Sequence, residues 1–193
     1  MKLIDKRDAK ALNAILYFAR NVKHPTITKI LKLLYLLDFM HFKETGRPVT
    51  GQKYYAWDLG PVPKDIYFRI NNLKKEDEWY NSLVLNKEVI DEVSDKRIHM
   101  VLARKKPDLS VFTKREKKLL EQIAYIFKNV RPKDISDYSH LKNHPWDITI
   151  NEKGEKAEID YLLAIDDSAP LTKEEAEELY KEIEEVWEKF GSD

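Results

Sequence analysis

The sequence predicts a mainly helical α+β domain: a helical core around one central apolar helix, with a small antiparallel β element at its side. Three observations carry that class. Between Ile27 and Phe42 the apolar residues cover most of a helical circumference, which demands neighbours on several sides. Other stretches repeat apolar residues at helical spacing. Two further stretches, one aromatic and one alternating, have the composition of short strands. At 193 residues the chain is long enough for one domain with a substantial core and short for two. Residues 1–193 are therefore read as a single domain, with 151–193 as an acidic C-terminal helical extension.

The elements follow in order. From Asp8 to Val22, Leu12, Ile15, Leu16 and Ala19 fall on one helical face, and His24-Pro25 ends that helix. Thr26 is the first good cap after the break, and Gly46 stops the central helix after Thr45. "QKYYAW", residues 52–57, has the aromatic enrichment of a strand. The sequence "GPVP", residues 60–63, reads as a stiff corner, with Pro63 at the first position of a short helix carrying Ile66, Ile70 and Leu73. The polar stretch 71–82 reads as a surface connection. "LVLNKEVIDEV" and "RIHMVLARK" flank Ser94-Asp95-Lys96 as the arms of a β-hairpin. Thr113 and Glu116 form a capping box ahead of Leu119, Leu120, Ile123 and Phe127. A short helical piece follows Pro132, a turning segment passes through Pro145, and a second capping box, Thr172 to Glu175, opens a final helix with Ala176, Leu179, Tyr180, Ile183 and Trp187 on one face.

Composition narrows the chemistry. The absence of cysteine excludes disulfides, Cys-ligated metal and thiol nucleophiles and fits a cytoplasmic location. The N-terminus lacks the unbroken apolar core of an export signal, and the most apolar run, interrupted by Lys32 and Asp38, is too short to cross a bilayer. No membrane partner is expected. The net charge of zero hides an asymmetry: residues 151–193 hold 15 acidic and 5 basic side chains, leaving 19 and 29 upstream. The tail reads as the wet face of a helix or as a surface for a basic partner.

Templates for phosphate loops, dinucleotide folds, zincins and serine-nucleophile elbows are missing. Asp38 and His41 lie three apart on the central helix and could share a metal, but a third ligand is not evident; no metal and no cofactor are expected. Ser139, His140, His144 and Asp147 have the residue types of acyl transfer, yet triad members seldom cluster along a chain, and no oxyanion hole is apparent. Lys23, Lys29, Lys32 and Lys43 suggest a DNA-contacting transcriptional regulator working through the basic N-terminal body, against which the second helix is apolar nearly all round, so nucleic acid is the weaker expectation. Tyr54, Tyr55, Trp57, Tyr67 and Phe68 around the proline corner serve either as a wedge against the core or as a pre-shaped partner surface.

The run from Lys29 to Pro63, with Leu33-Leu34-Tyr35, Asp38, Gly46, Thr50-Gly51, Tyr54, Ala56 and Gly60-Pro61-Val62, followed downstream by Ser139-His140 and Trp146, resembles the Panacea domain. That family includes SocA-like antitoxins and phage-associated GepA proteins, and the resemblance covers about Ala9 to Trp146. It implies an antitoxin of a toxin-antitoxin system, non-enzymatic, that neutralises a cognate protein toxin by direct binding and in some members delivers it to an ATP-dependent protease. On that reading Tyr35, Asp38, Gly60, Pro61 and Pro63 hold the motif's structure, while Tyr54, Trp57, His140 and Trp146 are candidate partner contacts.

Overall fold

The computed structural model describes the backbone of residues 3–90 and 97–191 and the side chains of residues 6–86 and 97–189. Helix α1 spans Leu3–Asn21 and buries Ala11, Ala14, Ile15 and Phe18. The chain reverses through His24, held at φ 49°, and Thr26 caps helix α2, Ile27–Thr45, by accepting the Lys29 N–H at 3.2 Å. Gly46, at φ 66°, closes it by donating its N–H to the Phe42 carbonyl at 2.8 Å, the left-handed step a glycine takes without a Cβ penalty. Most α2 side chains are buried. This is the central helix the apolar pattern predicts, and both of its expected caps are present.

The other helices gather around it: α3, Lys64–Asn71; α4, Lys114–Ile126; α5, Pro132–Ser139; α6, Pro145–Lys153; and α7, Lys173–Gly191. Among the described residues, 56% are helical. Both capping boxes form, Thr113 with Glu116 and Thr172 with Glu175. The segment read as a turn through Pro145 is instead α6, since a proline at the first helical position leaves unmade only a bond that would have no partner.

Two antiparallel hairpins complete the fold. Strands β1, Tyr54–Trp57, and β2, Gly60–Pro63, pair Trp57 with Gly60 and Tyr54 with Pro63. Strands β3, Leu83–Ile90, and β4, Arg97–Ala103, pair Leu83 with Ala103 and Ile90 with Arg97, with an irregularity between Asn86 and Val89. The expected turn at Ser94-Asp95-Lys96 lies outside the described residues. The stretch 71–82, read as a plain surface connection, sends Trp79 into the core at 1% exposure. Its indole donates to Asp8 at 2.9 Å, while Arg69 lies over the ring and bonds both Asp8 and Asp77. A single large apolar residue in polar surroundings carries no periodicity, so pattern reading passes over it.

The "GPVP" corner is a strand rather than a turn, and the placement of its prolines explains how. Bonded and non-bonded pairs alternate in an antiparallel ladder. A two-residue turn puts Trp57–Gly60 and Tyr55–Val62 at the bonded pairs and Pro61 and Pro63 at the others, where no N–H is required. On the opposite edge of β1, Ala56 donates to Ala157 at 2.9 Å and accepts from Lys156 at 2.7 Å, and Ile159 donates to Tyr54 at 2.8 Å. Residues 156–159 thus run beside β1. The acidic C-terminal region begins as part of the fold before becoming helix α7.

Candidate functional site

The β1–β2 hairpin, whose turn is Asp58-Leu59, is fixed from below by two buried polar groups of α2, one at its base and one near its turn. Asp38 is fully buried. It accepts the Thr50 N–H at 2.6 Å, the Thr50 hydroxyl at 2.5 Å and the Tyr54 hydroxyl at 2.8 Å. The Tyr161 hydroxyl lies 2.6 Å from the Gln52 carbonyl and 3.3 Å from Asp38; its single proton favours the shorter bond. Burial raises the Asp38 carboxyl pKa more than these donors lower it, as expected for an acid whose donors are hydroxyls and an amide rather than a cation. Rings close the shell: Tyr35 sits edge-on to Tyr54 at 5.6 Å, and Phe39 stacks on Tyr161 at 4.6 Å.

Nearer the start of α2, Lys32 is 1% exposed and donates to the Pro61 carbonyl at 3.0 Å. Burial pulls its ammonium down to about 7. Above it the chain passes through Gly60 at φ 100°. Asp58 and Leu59 keep negative φ, so the glycine alone supplies the left-handed step. A Cβ there would lie 2.6 Å from both His140 Nε2 and Lys32 Nζ and 2.8 Å from Ser139 Oγ. His140 lies beside the Leu59 backbone, and its buried Nε2 has no partner. Burial first and Lys32 second lower the His140 pKa, with the Leu59 backbone opposing them. The imidazole stacks on Trp146 at 4.0 Å, and the Trp146 indole donates to the Trp57 carbonyl at 2.9 Å. Together α2, α5 and α6 hold one end of the hairpin at several points.

What this clamp presents to solvent is apolar. Leu59, at the apex, is 70% exposed and Phe68, on α3, is 47% exposed. Trp57, partly buried, meets Tyr67 edge-on at 5.3 Å and Phe68 at 6.2 Å. A large apolar residue at the tip of a rigid turn gains nothing from folding and would gain from covering by a partner.

The predicted residues therefore divide. Tyr35, Asp38, Gly60, Pro61 and Pro63 lie in or against the clamp, with Pro63 immediately before α3 rather than inside it. Trp57, His140 and Trp146 retain partial exposure, whereas Tyr54 is fully buried and faces Asp38, out of a partner's reach while the clamp is closed. Lys32 and Tyr161 carry much of the geometry unanticipated; the signal for Lys32 was a lysine with apolar neighbours on both sides. Leu59 had a signal as well, an apolar residue between Asp58 and Gly60 where turns favour polar ones.

Other constellations disperse. His41 bonds the Arg47 carbonyl at 2.6 Å through Nδ1, away from the donors around Asp38, and among the described residues no three His, Asp or Glu side chains gather as metal ligands do. Ser139 donates to the Ser136 carbonyl and Asp147 accepts from the Asn143 N–H, so each is engaged locally. Of the lysines that suggested DNA contact, Lys29 is buried against the Lys23 and Val130 carbonyls, Lys32 is buried as described, and Lys43 pairs with Asp166 at 2.6 Å.

Most of the clamp is drawn from the stretch between α2 and the start of α6, and the family described as antitoxin SocA-like, Panacea domain, matches residues 30–147. That is over half of the chain, and it takes in most of α2, both hairpins, α4 and α5. The chain belongs to that family. No curated protein and no solved structure matches it. Within the Panacea match lie Asp38, Thr50, Tyr54, Gly60, Pro61, His140 and Trp146; Tyr161 and α7 lie beyond it. No helix among the described residues is long and apolar enough to cross a membrane.

Proposed function

We propose that this chain is the antitoxin of a toxin-antitoxin pair and that it neutralises a cognate protein toxin in the cytoplasm by binding it through the apex of the β1–β2 hairpin, without covalent chemistry. The observation that carries this reading is Leu59, 70% exposed on a turn flanked by the bonds of Lys32 to the Pro61 carbonyl and of Trp146 to the Trp57 carbonyl. An apolar anchor held in one shape loses little entropy on docking, and anchors of this kind dominate interfaces when they enter a pocket on the partner. Contact is by side chains, because Pro61 and Pro63 remove the donors that strand addition would need on the free edge of β2.

The test is rescue of cell growth from the toxin encoded beside this chain. Leu59→Asp with Phe68→Asp is expected to abolish rescue while the purified protein keeps its circular dichroism and melting temperature. Full rescue by that folded variant would overturn the reading. Delivery to an ATP-dependent protease, a further step of the same proposal, would shorten the toxin's half-life when this chain is co-expressed; simple occupancy would leave it unchanged.

A further inference from the structure

A cleft of about 540 Å³ opens on another part of the molecule, between the first turns of α1, the loop after α2, the start of α4 and one face of α7. Five cations line it, Lys6, Arg7, Lys10, Arg47 and Arg115, against one carboxylate, Glu116. Their partners are unequal. Lys10 is bonded to Glu116 at 2.7 Å and Arg47 to the neighbouring Glu182 at 3.1 Å. Arg7 lies over the Trp187 indole, 4.4 Å from its centroid, and feels the Glu184 carboxylate, so the unmatched charge is that of Lys6 and Arg115. Lys6 and Arg115 have no carboxylate within 4.0 Å among the described residues.

Beside His41, Thr45 and Thr113, the rest of the lining is apolar, chiefly Val49, Leu179, Ile183 and Trp187. Unmatched positive charge beside a solvent-exposed apolar floor is a poor arrangement for the empty protein. Cations crowded together repel one another, and apolar surface left wet forgoes its burial. Both costs fall if an anion with a flat apolar body occupies the space. The volume is that of a small-molecule site, too small for a folded partner. The family match covers neither α1 nor α7, so two walls of the cleft belong to the flanking parts of this chain.

We infer that the cleft binds a phosphorylated aromatic small molecule of nucleotide size, with its phosphates at Lys6, Lys10 and Arg115 and its ring on the floor made by Ile183 and Trp187. The inference is independent of the hairpin and of toxin binding.

The experiment is titration of the full chain with adenine and guanine nucleotides, followed by calorimetry and by the indole N–H signals of the four tryptophans. A nucleotide should bind with micromolar affinity and move the Trp187 signal, leaving those of Trp57 and Trp79 in place. Lys6→Glu with Arg115→Glu, both on the surface, should weaken binding by about tenfold or more without lowering the melting temperature of the free protein. Three results would overturn the inference: no binding by any nucleotide, equal binding by pyrophosphate at matched ionic strength, or movement of the Trp57 or Trp146 signal in place of Trp187. The spectral readout uses the unaltered chain, so it remains decisive even if the double variant fails to fold.

Discussion

The two hairpins of this molecule invert the usual relation between length and anchorage. β3–β4 has strands of 8 and 7 residues, β1–β2 strands of 4 each. A short two-stranded hairpin is marginal by itself, yet β1–β2 is the one locked into the core, through Asp38 at its base, Lys32 on its proline edge, Trp146 at the Trp57 carbonyl and residues 156–159 along its other side. β3–β4 is held near its base, where the Val101 N–H donates to the Pro25 carbonyl, and much of β4 is partly exposed. Ladder length does not decide which hairpin is anchored. The buried polar groups beneath it do.

The strongest way to break this contrast is Gly60→Ala. The added Cβ would meet three polar side chains at 2.6 to 2.8 Å, and the backbone would have to hold φ 100° with a side chain present. Strain and displaced polar partners together should cost about 3 kcal/mol or more. Urea denaturation should show it as a lowered midpoint, with toxin rescue lost at growth temperature. A loss below about 1 kcal/mol would mean that the clamp does not hold the hairpin.

A second expectation concerns pH and separates the hairpins by chemistry. In the unfolded chain Lys32 titrates near its ordinary 10.5, in the folded chain near 7. Between those values the unfolded chain binds the extra proton, so stability rises with pH and the cost of the buried charge is complete below about 7. Lys29, lowered by burial to about 8, adds the same sign at higher pH. Depression of the His140 pKa likewise penalises the folded state as pH falls through the ordinary histidine range. Replacing Lys32 by Met removes one of these contributions. The difference between wild-type and Lys32→Met unfolding free energies should change by up to about 1.4 kcal/mol per pH unit between roughly pH 7.5 and 9.5; a constant offset across that window would show that Lys32 is not the titrating tether.

The same contrast marks how far sequence reading reached. Helix α2, its caps, both capping boxes and the existence of two β elements were legible, because apolar spacing and cap chemistry are local. Asp38, Gly60, Pro61, His140 and Trp146 were legible through the resemblance, as residues of a motif. Their arrangement was not. Whether Lys32 points at solvent or at Pro61, and whether Tyr161 reaches across 123 positions to Asp38, depends on tertiary placement that no window of sequence contains. Proline misled for a related reason: its register in β2 can be judged only once the partner strand is known. Trp79 was hidden by its polar neighbours, and its partner Asp8 sits 71 residues away.

The smallest expected effect lies on the other hairpin. Leu102 on β4 is 41% exposed and pairs with Val84. Leu102→Thr keeps a strand-favouring residue at a half-wet position, so the lost apolar burial is partly offset by β propensity, and the net change should stay within about 0.5 kcal/mol. The buried contacts beneath β1–β2 are untouched by it. Amide exchange should therefore respond locally: faster exchange along β4, while the Tyr55 and Val62 amides keep their wild-type protection, because local openings need not propagate between separately anchored units. Loss of protection at Tyr55 or Val62 in Leu102→Thr would show that the two hairpins open together, and the distinction between a clamped hairpin and one held near its base would fail.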